Sequence, residues 1–193
     1  MSNVIFTYNE ESALTAGQGG FINETGAYIL TITEAALKQS EKGARFIEFS
    51  GESDDGRKVQ YLSVCTQKND GTENKFGANV IHAMMGCAGI KQLTQHMVSA
   101  SNFVAPEFHG KKIGLVLQKV LTTKRSTGQD SYQMEIRLPF IAHTGQTLKE
   151  KAEGKQPETV ANMAANLKDK DNRNKQASTQ HEDYHFGQDD APF

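Results

Sequence analysis

Apolar and polar side chains alternate with a period of two through much of the first 140 residues. In AYILTIT, residues 27–33, Tyr28, Leu30 and Ile32 share one side, the pattern of a half-buried strand. The loop KQSEKGA, with Gly43 suited to a turn, leads to a second strand, RFIEF, at residues 45–49. Asp55-Gly56 in ESDDGRK is a hairpin signal, and KVQYLSVC at residues 58–65 makes a third strand. The period then changes. From Phe76 onward Val80, Ile81, Met84, Met85 and Ala88 recur at the spacing of an amphipathic helix that ends near Gly89. Strands return at residues 111–120 and 131–139, separated by the turn-prone TTKRSTGQD. In the last strand Tyr132, Met134, Ile136 and Leu138 alternate against Gln133, Glu135 and Arg137. Residues 94–110 fit none of these patterns, and no internal repeat is visible.

Three strands, a helix and two further strands is the order of an OB-fold. The expected class is therefore mainly β: a five-stranded OB-fold barrel with a helix between strands 3 and 4, spanning residues 1–150. From residue 151 the chain turns polar, poor in aromatic and β-branched residues and rich in Lys, Asn, Gln and Asp. That composition predicts a flexible linker and a disordered acidic tail over residues 151–193, interrupted by a short helix where Val160, Met163, Ala164 and Leu167 share a face. The 37% hydrophobic content of the 193 residues suffices for one core.

Charge adds an asymmetry. The net charge of -2 hides an acidic end: residues 177–193 contain Glu182, Asp183, Asp189 and Asp190 and no Lys or Arg, which leaves 19 acids against 21 bases upstream. A slightly basic body with an acidic tail is a weak pointer to nucleic acid.

An OB-fold binds on the face of strands 2 and 3, between the loop joining strands 1 and 2 and the loop joining strands 4 and 5. Those loops supply Lys38 and Lys42 on one side and Lys124 and Arg125 on the other, with Arg45, Phe46, Phe49, Lys58 and Tyr61 between them. Cations suit phosphates and rings stack on unpaired bases, so the expected partner is single-stranded DNA. Each ring taken singly has the core as its ordinary place; the convergence in one groove carries the expectation.

The closing residues, DDAPF, resemble the C-terminal tip of bacterial single-stranded DNA-binding proteins, with two acids where that family often has three. The resemblance implies that Asp189, Asp190, Pro192 and Phe193 dock on replication or recombination proteins. The run GGFINETGAYILTITEAALKQSEKGARFIEFSGESDDGRKVQYLSV, followed by IHAMMGCAGI and FHGKKIGLVLQKV, looks like phage-encoded proteins regarded as single-stranded DNA-binding. Body and tip imply the same role: protection of single-stranded DNA in phage replication or recombination. Strand annealing, recombination mediation and a pure interaction adaptor remain alternatives.

Enzymatic readings find little support. Gly17-Gln18-Gly19-Gly20 lacks the Lys-Ser/Thr of a P-loop, and Cys65, Cys87, His181 and His185 have no zinc spacing. His82 and His96 have no catalytic neighbour at a recognised spacing, and Asp54 and Asp55 suit a turn. Expectation is thus a non-enzyme with no cofactor and no metal, its two cysteines buried and reduced. No signal peptide or membrane span is apparent, which predicts a cytoplasmic protein, in the bacterial host if phage-encoded; a homo-oligomer is compatible with the sequence.

Overall fold

A computed structural model describes residues 7–9, 20–124 and 126–173. The expected tail tip, Asp189, Asp190, Pro192 and Phe193, lies outside the described residues, as does Arg125.

The protein is mainly β. Three antiparallel strands open it: β1 (Gly26–Gln39), β2 (Arg45–Ser53) and β3 (Lys58–Gln67). Helix α1 (Lys75–Ala88) follows, then a small hairpin of β4 (His96–Ser99) and β5 (Asn102–Val104), and then β6 (Lys112–Thr123) and β7 (Asp130–Phe140). The chain continues through α2 (Leu148–Glu153), α3 (Thr159–Asn166) and β8 (Lys170–Asp171). Among the described residues all eight strands join one sheet, antiparallel except where β8 runs parallel to β6.

β1 organises it. Its first half pairs with β6, residues 30–39 pair with β2, and Ala36 and Leu37 pair with β5. The main path is thus β3-β2-β1-β6-β7. Its terminal strands, β3 and β7, touch but are not joined in a ladder, so the sheet stays open. Residues 94–110, unassigned from the sequence, form the β4–β5 hairpin and a 3-10 turn at Pro106–Phe108 against the second half of β1.

Inward-facing Leu30, Ile32, Phe49, Leu62, Ile113, Leu115 and Leu117 form the core with Met84 of α1 and Phe108, whose ring meets Phe49 edge-on at 5.1 Å. α1 packs on β3, β6 and β7, and it begins so close to β3 that a Cβ on Gly77 would lie 1.8 Å from the Cys65 carbonyl oxygen. Asn74 caps the helix by accepting from the Gly77 amide, and Gly89 ends it in the left-handed conformation.

A second, smaller core corrects the expected linker. At β7 the ladder steps from Leu117–Ile136 to Val116–Leu138, so Arg137 is an extra residue, a β-bulge. Alternation breaks there: Met134 and Ile136 face the main core, whereas Leu138 and Phe140 join Val116 in a second cluster. Val160, Met163 and Leu167 of the 148–173 segment cover that cluster. The helix expected near residues 158–167 therefore exists but is docked, and residues 151–173 are folded, against the expectation from composition.

Glu150 secures this cover. Buried, it completes the α2 capping box with Thr147 and also accepts from the Glu158 and Thr159 amides at 3.0 and 2.7 Å, which supplies the acceptor that the start of α3 otherwise lacks. Burial pushes its carboxyl up, but the hydrogen bonds from Thr159 and Thr147 outweigh this and hold it down at about 2.

Candidate nucleic-acid interface

Opposed residues of an antiparallel ladder point to the same face, so register decides what the uncovered side of β1, β2 and β3 displays. One row is Lys38–Phe46–Cys65; the next is Ala36–Glu48–Ser63; then Glu34 stands beside Ser50, and Glu52 opposes Lys58. Lys38 and Phe46 thus lie at one end of the face and Lys58 at the other, about 20 Å apart along β2. Between them stand Glu34, Glu48 and Glu52, three carboxylates on what composition suggested as a basic groove.

Phe49 is the clear correction among the expected residues. It is separated from Phe46 by an odd number of positions, so the two rings take opposite faces of β2, and Phe49 is fully buried against Phe108. It belongs to the core. Lys38 lies within β1 and not in a loop, while Lys42 occupies the turn between β1 and β2 and Arg45 opens β2. Lys124 sits at the β6–β7 turn, where its amide donates to the Gln129 carbonyl at 2.8 Å. These two turns lie at opposite ends of β1, so their cations bracket the sheet and do not meet.

Tyr61 is exposed, with φ at +60°, the one non-glycine residue with positive φ among the described residues. The β2–β3 ladder steps from Phe49–Leu62 to Gly51–Val59, which leaves Gln60 and Tyr61 together opposite Ser50 as a second β-bulge. A bulky side chain in that backbone region is strained, by about 1–3 kcal/mol. The strain accompanies a ring that is 72% exposed.

Beside Tyr61, in the open seam between β3 and β7, is a cleft of about 180 Å³ lined by Phe21, Ile22, Val59, Tyr61, Tyr132 and Met134. Gln60 and Gln133 also border it, but the Gln133 side chain points to the opposite face of β7, where its Nε2 donates to Glu135 Oε1 at 3.1 Å. Phe21 is held there by backbone: the Ile22 amide donates to the Lys58 carbonyl and the Lys58 amide to the Gly20 carbonyl, both at 2.8 Å. Tyr132 continues the inward row of Met134 and Ile136 past the end of the core, and the Lys119 ammonium lies 5.2 Å from its ring centre. Among the described residues neither Lys58 nor Lys119 forms an ion pair, whereas Asp130 and Glu135 of β7 each have an arginine, Arg173 and Arg137.

Sequence reasoning missed Phe21, Lys119 and Tyr132. Tyr132 was legible only as one of an inward-facing row, and nothing local announces that the core stops at Met134. Asp54 and Asp55 hold turn positions as expected: Asp54 pairs with Lys112 at 2.7 Å, and Asp55 bonds the Arg57 guanidinium, which holds its carboxyl far below the usual range. Arg57 in turn lies over Tyr28. Both cysteines are free and half-buried, and burial pushes the Cys87 thiol up to about 11.

Among the described residues no group of three His, Cys, Asp or Glu is placed to hold a metal ion, and no helix is long and apolar enough to cross a membrane. No protein-family model matches this sequence, and no curated protein matches it significantly.

Proposed function

We propose that this protein binds single-stranded DNA through an OB-fold and recruits replication or recombination proteins through its acidic, Phe-ended tail. The wiring supports the fold assignment: β1 pairs with both β2 and β6, α1 follows β3, and β3 and β7 meet at an unpaired seam, as in a partly open OB barrel. The observation that carries the binding assignment is the convergence of Phe21, Tyr61 and Tyr132, all exposed, on one cleft, with the Lys119 ammonium 5.2 Å from the Tyr132 ring centre and Lys58 on the adjoining outer face of β3. Exposed rings stack on bases of any sequence, and unpaired lysines attract the phosphates between them. Lys38, Lys42, Arg45 and Phe46 at the far end, with Lys124 at the β6–β7 turn, would extend the path of the strand, and Arg125, outside the described residues, is kept as a candidate from the sequence alone. The protein acts without catalysis, in the cytoplasm of a bacterial host if the phage resemblance holds.

Fluorescence anisotropy with labelled oligo-dT, single-stranded and then annealed to its complement, tests this. The expected result is salt-sensitive binding to the single strand alone, with log affinity falling by about 0.7 per phosphate contact for each unit of log salt. Lys58→Ala and Lys119→Ala should each make that slope shallower. Equal binding of duplex, or none of either, would remove the assignment.

A further inference from the structure

The sheet has a free end away from the cleft. In the order β3-β2-β1-β5-β4 the last strand, β4, pairs only with β5, and among the described residues no strand takes its other edge. All four of its residues, His96 to Ser99, are exposed. The row Leu37–Phe103–Met97 runs out to this edge: Leu37 packs against the main core, Phe103 is half-buried, and Met97 is 59% exposed. Beside it the ladder slips between Met97 and Ser99, which leaves Val98 as an extra residue, 60% exposed.

This hairpin is fastened at its base. The Glu107 carboxylate accepts from the amide and the hydroxyl of Thr94, just before β4, and the Ala105 amide donates to the Ala35 carbonyl at 2.8 Å. The free edge is therefore formed before any partner arrives. Such an edge is a template for another strand, and natural proteins commonly blunt it with charge. Here charge is missing. Residues 92–106 contain no Asp, Glu, Lys or Arg, and the other run of that length, residues 76–90, spans helix α1, which packs on the core. A neutral run accompanies packing in one place and stands bare in the other.

From these observations we infer that the β4 edge is a self-association surface, on which a second copy of this chain lays its own β4 antiparallel across a two-fold axis. Neutrality selects that occupant. The hairpin has no cation for a phosphate and no charged group to steer a charged partner, whereas two uncharged edges meet without repulsion. A two-fold axis across a strand makes its copy antiparallel, so the β4 backbone supplies donors and acceptors to itself. The Leu37–Phe103–Met97 row would then run on into the same row of the copy.

Four residues a side, one of them in a bulge, bury less than the roughly 1,200 Å² at which standard interfaces begin, so the pair should be weak, with a Kd on the order of 10 μM. A two-fold contact closes on itself and yields pairs, not filaments. β3, at the other end of the strand order, stays open in each copy together with its cleft. This association goes beyond single-strand binding and does not depend on it.

The test is sedimentation equilibrium of the full chain without DNA, over concentrations that bracket the expected Kd. Wild type should show a monomer–dimer equilibrium. Val98→Lys places a charge on the edge and should weaken association by about tenfold or more. Since Val98 is largely exposed, its melting temperature should stay in place. Val98→Cys reports where the contact lies. The strand is centred between Met97 and Val98, so a cysteine there meets its own copy near the axis. Mild oxidation should link that variant into a dimer, while wild type, whose Cys65 and Cys87 are half-buried, should stay unlinked.

Wild type that remains monomeric at every concentration would overturn the inference. A dimer that survives Val98→Lys would put the contact on another surface and overturn it as well. So would a Val98→Cys variant that links no more than wild type. No DNA enters these measurements, so their failure is distinct from failure of the proposed binding.

Discussion

The outer face of β6 and β7 and the outer face of β2 and β3 belong to one sheet, yet the first is apolar and roofed while the second is polar and bare. Each contains a β-bulge. At Arg137 the extra residue turns Leu138 and Phe140 outward, and α3 covers them. At Gln60 and Tyr61 the extra residue turns a tyrosine outward, and among the described residues nothing covers it. The same local device yields a second core in one place and an exposed ring in the other, and the difference lies in what the chain lays over it afterwards.

The largest break in this comparison should come from the roofed side. Phe140 lies flat on Gly114, where a Cβ would come within 2.2 Å of the ring, and it anchors the second cluster. Phe140→Ala should cost about 3–5 kcal/mol in urea unfolding. Phe46→Ala on the bare side, a half-buried ring with no cluster around it, should cost far less. Equal losses would mean that the two faces are not energetically distinct.

The fastening of the roof should come next. Glu150→Ala removes the acceptor of four hydrogen bonds, two of them from the amides of Glu158 and Thr159, and should cost about 2 kcal/mol. Its sign with pH is fixed. The folded carboxyl is held down at about 2 against an ordinary value of 4.5, so its contribution is complete above about pH 4.5 and is lost as pH falls toward 2. The stability gap between wild type and Glu150→Gln, followed by chemical unfolding from pH 7 to pH 3, should therefore narrow below pH 4.5. A gap that stays constant would mean that the ionised form is not what fastens α2 to α3.

The smallest effect should carry the opposite sign. Tyr61→Gly relieves the positive φ and should raise stability by about 1 kcal/mol, less what glycine adds to the freedom of the unfolded chain. A clear loss of stability would show that the ring has structural work on the bare face and would weaken its assignment as a binding surface.

Much of the main sheet was legible. Alternation located the five long strands, Asp55-Gly56 marked the β2–β3 hairpin, and the helical spacing from Val80 to Ala88 marked α1. What was not legible depends on partners distant in sequence. Residues 151–173 have the composition of a linker, and they fold because a bulge some 20 residues earlier presents Leu138 and Phe140 to them. The β4–β5 hairpin needs the second half of β1 to pair with. In the candidate interface, parity alone separates Phe46 from Phe49, but the alignment of Glu34, Glu48 and Glu52 on the face is a matter of register, which no single strand discloses. The cleft unites Phe21, Tyr61 and Tyr132, three residues spread over 112 positions, and no local pattern could have joined them.

One threonine makes that distance concrete. The Thr25 hydroxyl, just before β1, accepts from the Lys119 amide and donates to the Asp169 carboxylate at 2.6 Å, a partner 144 residues further along. A chain synthesised from its N-terminus can close the β1–β2–β3 hairpins early, because those contacts are local, but must wait for β6 to complete the other side of β1 and for Asp169 to tie down the roof. Until then the outward row at Leu138 and Phe140 is exposed on the nascent protein. On the emerging chain the bare face is thus complete before the covered one, and the interval between the two is when the outward row at Leu138 and Phe140 is open to aggregation.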